Sequence, residues 1–442
     1  MRALLVATAC ATFLCSTTPA ADAENEIPLN WWIGAYGVDK LHEEGFDGAG
    51  QTIVISEGGL YPDSPDLVGA DVEYLPLSEE CQEVIPLDPE DEIEQSLHGT
   101  NVANMIVGQG GPDNIQGVAP RAKLIVVQVR NTDNADPDDP RTPSCIEEAH
   151  SVVRKVIDRN PTVYSNSVDD GDLPKYAPYL LLTGHLAFDA VGNNGTEAPN
   201  DPEELETPTP GMVSIGAVDP EGNVADFSSR QHDLALLAPG AAVLGRDIDG
   251  NLTEINGTSF ASPYAAGVFA LAKQRWPQAT DLQLAQSMLR TAIGAEGEIR
   301  HDSATGSGLI APYAFVHNDP TGLPDVPPFL PASNAANVNA SGDKYLPFYD
   351  VLDGTRDCSG LPLCEDGQLR APRAHWLPPL VPAQTTAEGA GAGQADVATT
   401  GSSDDVTSAS PNRPHFSPRA GLALVGLAIV ALITSFGVRR HR

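Results

Sequence analysis

Gly257-Thr258-Ser259-Phe260-Ala261-Ser262-Pro263, running on into Tyr264-Ala265-Ala266-Gly267-Val268-Phe269-Ala270-Leu271-Ala272, is the stretch around which the 442-residue chain is organised. Gly257 gives the backbone freedom for a tight approach, and Pro263 fits best in the first turns of a helix, where a missing N–H costs least. The alanines and Gly267 leave little bulk, so this helix can lie close against a sheet. Ser259 then stands near a helix N-terminus, whose unpaired N–H groups and partial positive charge favour a developing oxyanion. Alone, the stretch reads equally well as a nucleophile motif or as a small-residue core helix with a capping serine. The stretches around His98 and Asn193 decide between them.

Working outward, short apolar runs bounded by glycine and polar residues read as buried strands: residues 51–56, 124–129, 162–168, 186–191 and 212–218. The first ends at Glu57-Gly58-Gly59, a carboxylate at a sheet edge. Residues 60–95 read as an acidic loop, after which His98 opens a helix carried by Val102, Met105 and Ile106. Helices are also expected at 146–157 and 282–292. Strands alternating with helices imply an α/β fold, a three-layer α/β/α sandwich around a mostly parallel sheet, closing near residue 318.

Glu57, His98, Asn193 and Ser259 form a chemical set. A serine hydroxyl is a weak nucleophile until an imidazole takes its proton, and the imidazole needs a carboxylate to fix its tautomer. An Asn amide and a helix-terminal N–H would serve the oxyanion.

Formal net charge is −35, from 60 acidic and 25 basic residues. Such a surface repels phosphate and argues against nucleic-acid partners. Residues 1–23 read as a secretory signal: Arg2, an apolar run, and a small-x-small site at Ala21-Asp22-Ala23. Residues 319–376 are proline-rich, and 377–418 are a stalk too poor in large apolar residues to bury a core. Within 419–442, Ala420 to Val438 is a 19-residue uncharged run followed by Arg439-Arg440-His441-Arg442, which reads as one membrane span with a basic cytoplasmic tail. Four cysteines remain after the signal; outside the cytoplasm they suggest two disulfides, Cys81–Cys145 and the short loop Cys358–Cys364. No paired Cys-x-x-Cys spacing suggests zinc.

The motifs His98-Gly99-Thr100-Asn101-Val102-Ala103, Gly117-Val118-Ala119-Pro120, Ala190-Val191-Gly192-Asn193, Phe227-Ser228-Ser229, Ala238-Pro239-Gly240 and Gly257-Thr258-Ser259-Phe260-Ala261-Ser262-Pro263 resemble the subtilisin-like serine peptidases, the subtilases, in the family's order across residues 30–316. The resemblance implies peptide-bond hydrolysis through an acyl-enzyme. Ser259 attacks, His98 shuttles the proton, and Asn193 with the Ser259 N–H binds the oxyanion. It also implies a substrate wall at Ser167, Val168 and Asp169, with Ala190, Val191 and Gly192 opposite. Signal, disulfides, proline-rich linker, single span and basic tail further resemble the membrane-anchored mycosins of type VII secretion. So does the short stretch before the first strand, which leaves no room for the usual pro-domain. Such an enzyme faces outside the cytoplasm, acts on protein or peptide substrates, and could partner a membrane secretion complex.

The chain departs from the family pattern at three places. Glu57 stands where the acid is normally Asp, Asp169-Asp170 replaces a Gly-Gly wall, and Asn104 replaces a helix glycine. The two aspartates suggest a basic residue in the substrate or an obstructed cleft. The alternative reading is a weak or inactive subtilase fold serving as a scaffold in a membrane complex. No cofactor is implied; calcium is common in the family, but no loop here spells a calcium site.

Overall fold

The computed structural model describes residues 29–132, 135–150, 159–168, 184–195, 211–231 and 234–328, with short pieces at 156, 177, 180–181, 364–365 and 368–369. All belong to the first of two compact units, Met1–Val381, the second being Pro382–Arg442. The signal, the stalk, the apolar run at 420–438, Cys358, Asp169 and Asp170 lie outside the described residues. Among those described, no helix is long and apolar enough to cross a membrane.

Two short helices, α1 (Trp31–Ala35) and α2 (Val38–Glu43), lead into β1 (Thr52–Glu57). Then come β2 (Asp71–Leu75), α3 (Glu79–Val84), α4 (Pro89–Val107), β3 (Lys123–Gln128), α5 (Thr142–His150), β4 (Val163–Asn166) and β5 (Ala187–Ala190). The strands β6 (Met212–Val218) and β7 (Leu234–Pro239), a hairpin of β8 (Val243–Arg246) and β9 (Leu252–Ile255), and α6 (Thr258–Arg275), α7 (Asp281–Thr291) and α8 (Pro312–His317) complete the domain. Seven strands form one sheet in the order β2-β3-β1-β4-β5-β6-β7, every neighbouring pair parallel. Helices α4 and α6 pack on each other and on this sheet. Strand β7 is buried at every residue, as expected when apolar runs are covered on both faces. From β1 the chain leaves toward β2 and returns to lay β4 on the other side of β1. The carboxyl ends of β1 and β4 therefore flank a topological switch point, the natural place for a site in such a sheet.

The reading of 60–95 as a loop, with a helix opening at His98, is corrected. Helix α4 begins at Pro89, so His98 sits in its middle. Local chemistry explains the early start. Asp88 caps the helix by accepting from the Glu90 N–H at 3.0 Å, Pro89 fills the first turn, and Glu90, Asp91 and Glu92 follow. The cap contributes about 1 kcal/mol, and acidic side chains suit a positive helix end. The missing signal was hydrophobic: this first half of α4 has little apolar periodicity. The segment also holds β2 and α3, and α3 is tied to α5 by the expected Cys81–Cys145 disulfide over a small satellite core of Leu77, Val84, Ile85 and Ala149.

Asn104 is wholly buried and donates through Nδ2 to Asp66 Oδ2 at 3.2 Å. Asp66 is also wholly buried. Arg246 grips it with Nε at 2.6 Å and a second nitrogen at 2.8 Å, and the Ile115 N–H donates to it at 2.8 Å. Asn101 exchanges two hydrogen bonds with the Arg246 backbone, at 3.0 and 2.8 Å. One cluster thus pins the β8–β9 hairpin to the back of α4, and it accounts for the asparagine at 104. Removing one partner of a buried ion pair strands the other. Arg246→Ala is therefore expected to lower stability by about 3–5 kcal/mol, measured by urea unfolding. A loss under 1 kcal/mol would show the pair to be dispensable.

Candidate active site

Glu57 is the last residue of β1 and is completely buried. Its Oε2 lies 2.8 Å from His98 Nδ1. Three glycines let helix and strand end come this close. A Cβ on residue 99 would lie 2.2 Å from the Gly59 carbonyl oxygen and 2.9 Å from Glu57 Cβ; one on residue 59 would lie 2.2 Å from Ser96 Oγ and 3.0 Å from Ser96 Cα. One on residue 58 would meet Gln95 Oε1 at 2.2 Å. The longer acid therefore runs its methylenes through the space a side chain at 99 would need. Glu57 Oε1 is buried and has no donor among the described residues, a burden of about 1–3 kcal/mol.

With Nδ1 committed to Glu57, Nε2 is the His98 nitrogen left for chemistry. The His98 ring packs beside Phe260, centroids 5.8 Å apart. Burial opposes charge on this half-buried imidazole. The Glu57 carboxylate, by its charge and its hydrogen bond, together with Glu94, outweighs that burial and raises the pKa above the usual 6.5.

Ser259 is the second residue of α6, as its motif requires. Its Oγ donates to the Ser167 carbonyl at 3.1 Å, and Ser167 Oγ donates back to the Ser259 carbonyl at 2.9 Å. Pro263 makes the return bond available. It lies four residues on, has no N–H to give the Ser259 carbonyl, and the helix continues through it. Deeper in the helix, Ser262 Oγ meets Ser165 Oγ of β4 at 2.9 Å, and Gly267 allows contact with Val118, 2.9 Å from where a Cβ would stand.

Asn193 follows Gly192, whose φ of 94° gives the turn a conformation that suits glycine. The Ser229 N–H donates to the Gly192 carbonyl at 3.0 Å, and Ser229 Oγ accepts from the Asn194 N–H at 3.1 Å; together they hold this turn. Asn193 Oδ1 accepts from the Thr258 N–H at 2.9 Å and from Thr258 Oγ1 at 3.1 Å. Its Nδ2 is thereby left as the donor for the cleft. At the start of α6, the Phe260 N–H goes to the Gly257 carbonyl at 3.1 Å. The Ser259 N–H, between it and the Thr258 N–H, is the second donor that remains among the described residues.

His98, Asn193 and Ser259 line one cleft, joined by Ser167, Val168 and Ala190. Gly192 lines it too, whereas Val191 does not: it is buried against Val218, Leu234 and Leu237. Alternation explains this difference, since neighbours along an extended segment face opposite ways. Asp169 lies outside the described residues, and Cys364 opens a two-residue strand whose expected partner Cys358 also lies outside. Among the described residues, no group of three or more His, Cys, Asp or Glu could hold a metal. Several residues of the site had no signal in the sequence pattern. Thr258 orients Asn193, and Asp91, Glu94 and Gln95 reach the cleft only because α4 starts so early. Asn166 ends β4 and pairs in register with Asp189 of β5, and only the sheet order brings the two together.

Residues 48–315, more than half of the chain, match the profile of the Subtilase family. The thermostable alkaline protease of Halalkalibacterium halodurans is 28% identical over 284 residues, covering 63% of this chain and 71% of that protein. Subtilisin E of Bacillus subtilis is 26% identical over 263 residues, covering 58% of this chain and 65% of the relative. Among solved structures, the MycP3 protease from the type VII (ESX-3) secretion system is similar with a TM-score of 0.52 at 26% identity, over 66% of this chain and 89% of that one. MycP1 of Mycobacterium smegmatis shares the fold, with a TM-score of 0.52 at 22% identity over 71% of this chain and 90% of its own. A buried acid behind an imidazole, a serine at a helix start and a profile spanning both lead to one placement: the chain belongs to the subtilase family of serine endopeptidases.

Proposed function

We propose that the protein is a membrane-anchored serine endopeptidase working outside the cytoplasm, with Ser259, His98 and Glu57 as nucleophile, proton shuttle and orienting acid. The distance of 2.8 Å between Glu57 Oε2 and His98 Nδ1 carries this reading, because it is what a longer acid must achieve to stand in for aspartate. On substrate binding the Ser259 hydroxyl leaves the Ser167 carbonyl and turns to His98 Nε2, which takes its proton as Oγ attacks the peptide carbonyl. Asn193 Nδ2 and the Ser259 N–H receive the oxyanion. The imidazolium, steadied by Glu57, then protonates the leaving amine, and water repeats the sequence on the acyl-enzyme.

The Cys81–Cys145 disulfide supports an oxidising location. The apolar run at 420–438 with its basic tail supports a single anchor, catalytic domain outside. Likeness to a protease of a type VII secretion system supports a place beside such a complex, with a protein or peptide as substrate.

A fluorophosphonate probe tests the nucleophile: it is expected to label the folded protein, and Ser259→Ala is expected to abolish labelling. A folded, unlabelled wild-type protein would leave only a scaffold. The acid has its own test. Because the His98 pKa is raised, its base form is lost as pH falls through that raised value, so the acid limb of kcat/KM should lie above pH 6.5. Glu57→Gln removes the charge that offsets burial. It should move the limb to lower pH and reduce kcat on the order of 10³–10⁴-fold. A loss below tenfold with an unmoved limb would remove Glu57 from the mechanism.

A further inference from the structure

The cleft beside Ser259 is a cavity of about 760 Å³. Its described lining includes the carboxylates of Asp91, Glu94 and Asp189 and no lysine or arginine. Asp91, Glu94 and His98 recur at helical spacing and share one face of α4, so the carboxylates stand in line with the proposed base. Asp91 and Glu94 are exposed on this rim.

Asn166 lines the same cleft and is only 6% exposed. Its Nδ2 donates to Asp189 Oδ1 and to the Val168 carbonyl, both at 2.8 Å. Both partners only accept, which settles which end of the amide is nitrogen. Asn166 Oδ1 is then a buried acceptor without a donor among the described residues. A cleft with carboxylates on one rim and an unmet acceptor in its wall is complementary to a group that brings both N–H donors and positive charge. Lysine and arginine side chains are such groups, and a neutral or acidic side chain supplies less of either. The excess of negative charge on the chain would draw a cationic peptide toward the same opening.

We propose that this cleft is a subsite for a cationic side chain, and that Asp91, Glu94 and Asn166 are specificity-determining residues selecting peptides with Lys or Arg near the bond cut. The proposal rests on the proteolytic reading of the cleft, yet it can be tested apart from turnover. The full chain carrying Ser259→Ala is titrated with fluorescent alanine-rich octapeptides that differ at one position, Arg, Lys, Leu or Glu. The Arg and Lys peptides are expected to bind about fivefold or more tighter than Leu at low salt, with the advantage shrinking as salt rises. Asp91→Asn with Glu94→Gln, both at exposed positions, should remove most of that advantage. Asp91→Lys with Glu94→Lys should turn it toward the Glu peptide. Equal binding of Arg and Leu peptides, or a preference the double variants leave intact, overturns the proposal. Cleavage of the same peptides by the wild-type chain separates the two claims. Selective binding without cleavage supports this proposal while overturning proteolysis, and cleavage without charge preference does the reverse.

Discussion

The site rests on the approach of a helix to the end of a strand. Glu57 reaches His98 because Gly99 faces the Gly59 carbonyl with nothing between, and because Gly58 and Gly59 let Gln95 and Ser96 come down onto the same stretch. The charge pair is thus set by main-chain proximity. An acid one methylene longer than the family's usual aspartate fits because its methylenes pass beside a residue that has no side chain. Oε1, without a donor among the described residues, shows that the fit has a cost, carried by a carboxylate whose other oxygen meets His98.

Helix α4 is held on its other side by polar chemistry in place of apolar packing alone. Arg246 fills Asp66, Asn104 takes a share of the same carboxylate, and Asn101 clasps the Arg246 backbone. Helix α6 is held differently. Its small residues let it sink against the sheet, Tyr264 reaches the Trp32 carbonyl at 3.1 Å, and two serine pairs, Ser165 with Ser262 and Ser167 with Ser259, fasten it to β4 and the residue after it. His98 and Ser259 therefore arrive on two helices whose positions are fixed by separate means.

Much of this was legible in the chain itself. The runs at 51–56, 124–129 and 212–218 are short stretches dominated by apolar residues, and buried parallel strands announce themselves that way. The serine helix was legible because its small residues, proline and glycine each constrain the backbone. Residues 71–95 were not. Strand β2 is partly exposed at the sheet edge, and α3 and the first turns of α4 are acidic, so burial wrote no period into them. Their evidence was local: Ser78 and Asp88 as caps and Pro89 as a first-turn residue. Val191 turns its side chain into the core while Ala190 and Gly192 line the cleft, because a motif names consecutive residues while an extended backbone splits them between two sides. Asn166 and Asp189 meet only through the neighbouring of β4 and β5, a fact of topology that no local pattern records.

The glycine contact between α4 and β1 bears on how the protein would fail on heating. Spacing that depends on packed side chains loosens by degrees as a core softens. Here the stop is a peptide carbonyl against a bare α-carbon, and neither has a rotamer to relax into. Acid and imidazole would keep their separation until the whole helix lifts from the strand, so thermal inactivation would follow the cooperative loss of the fold instead of preceding it.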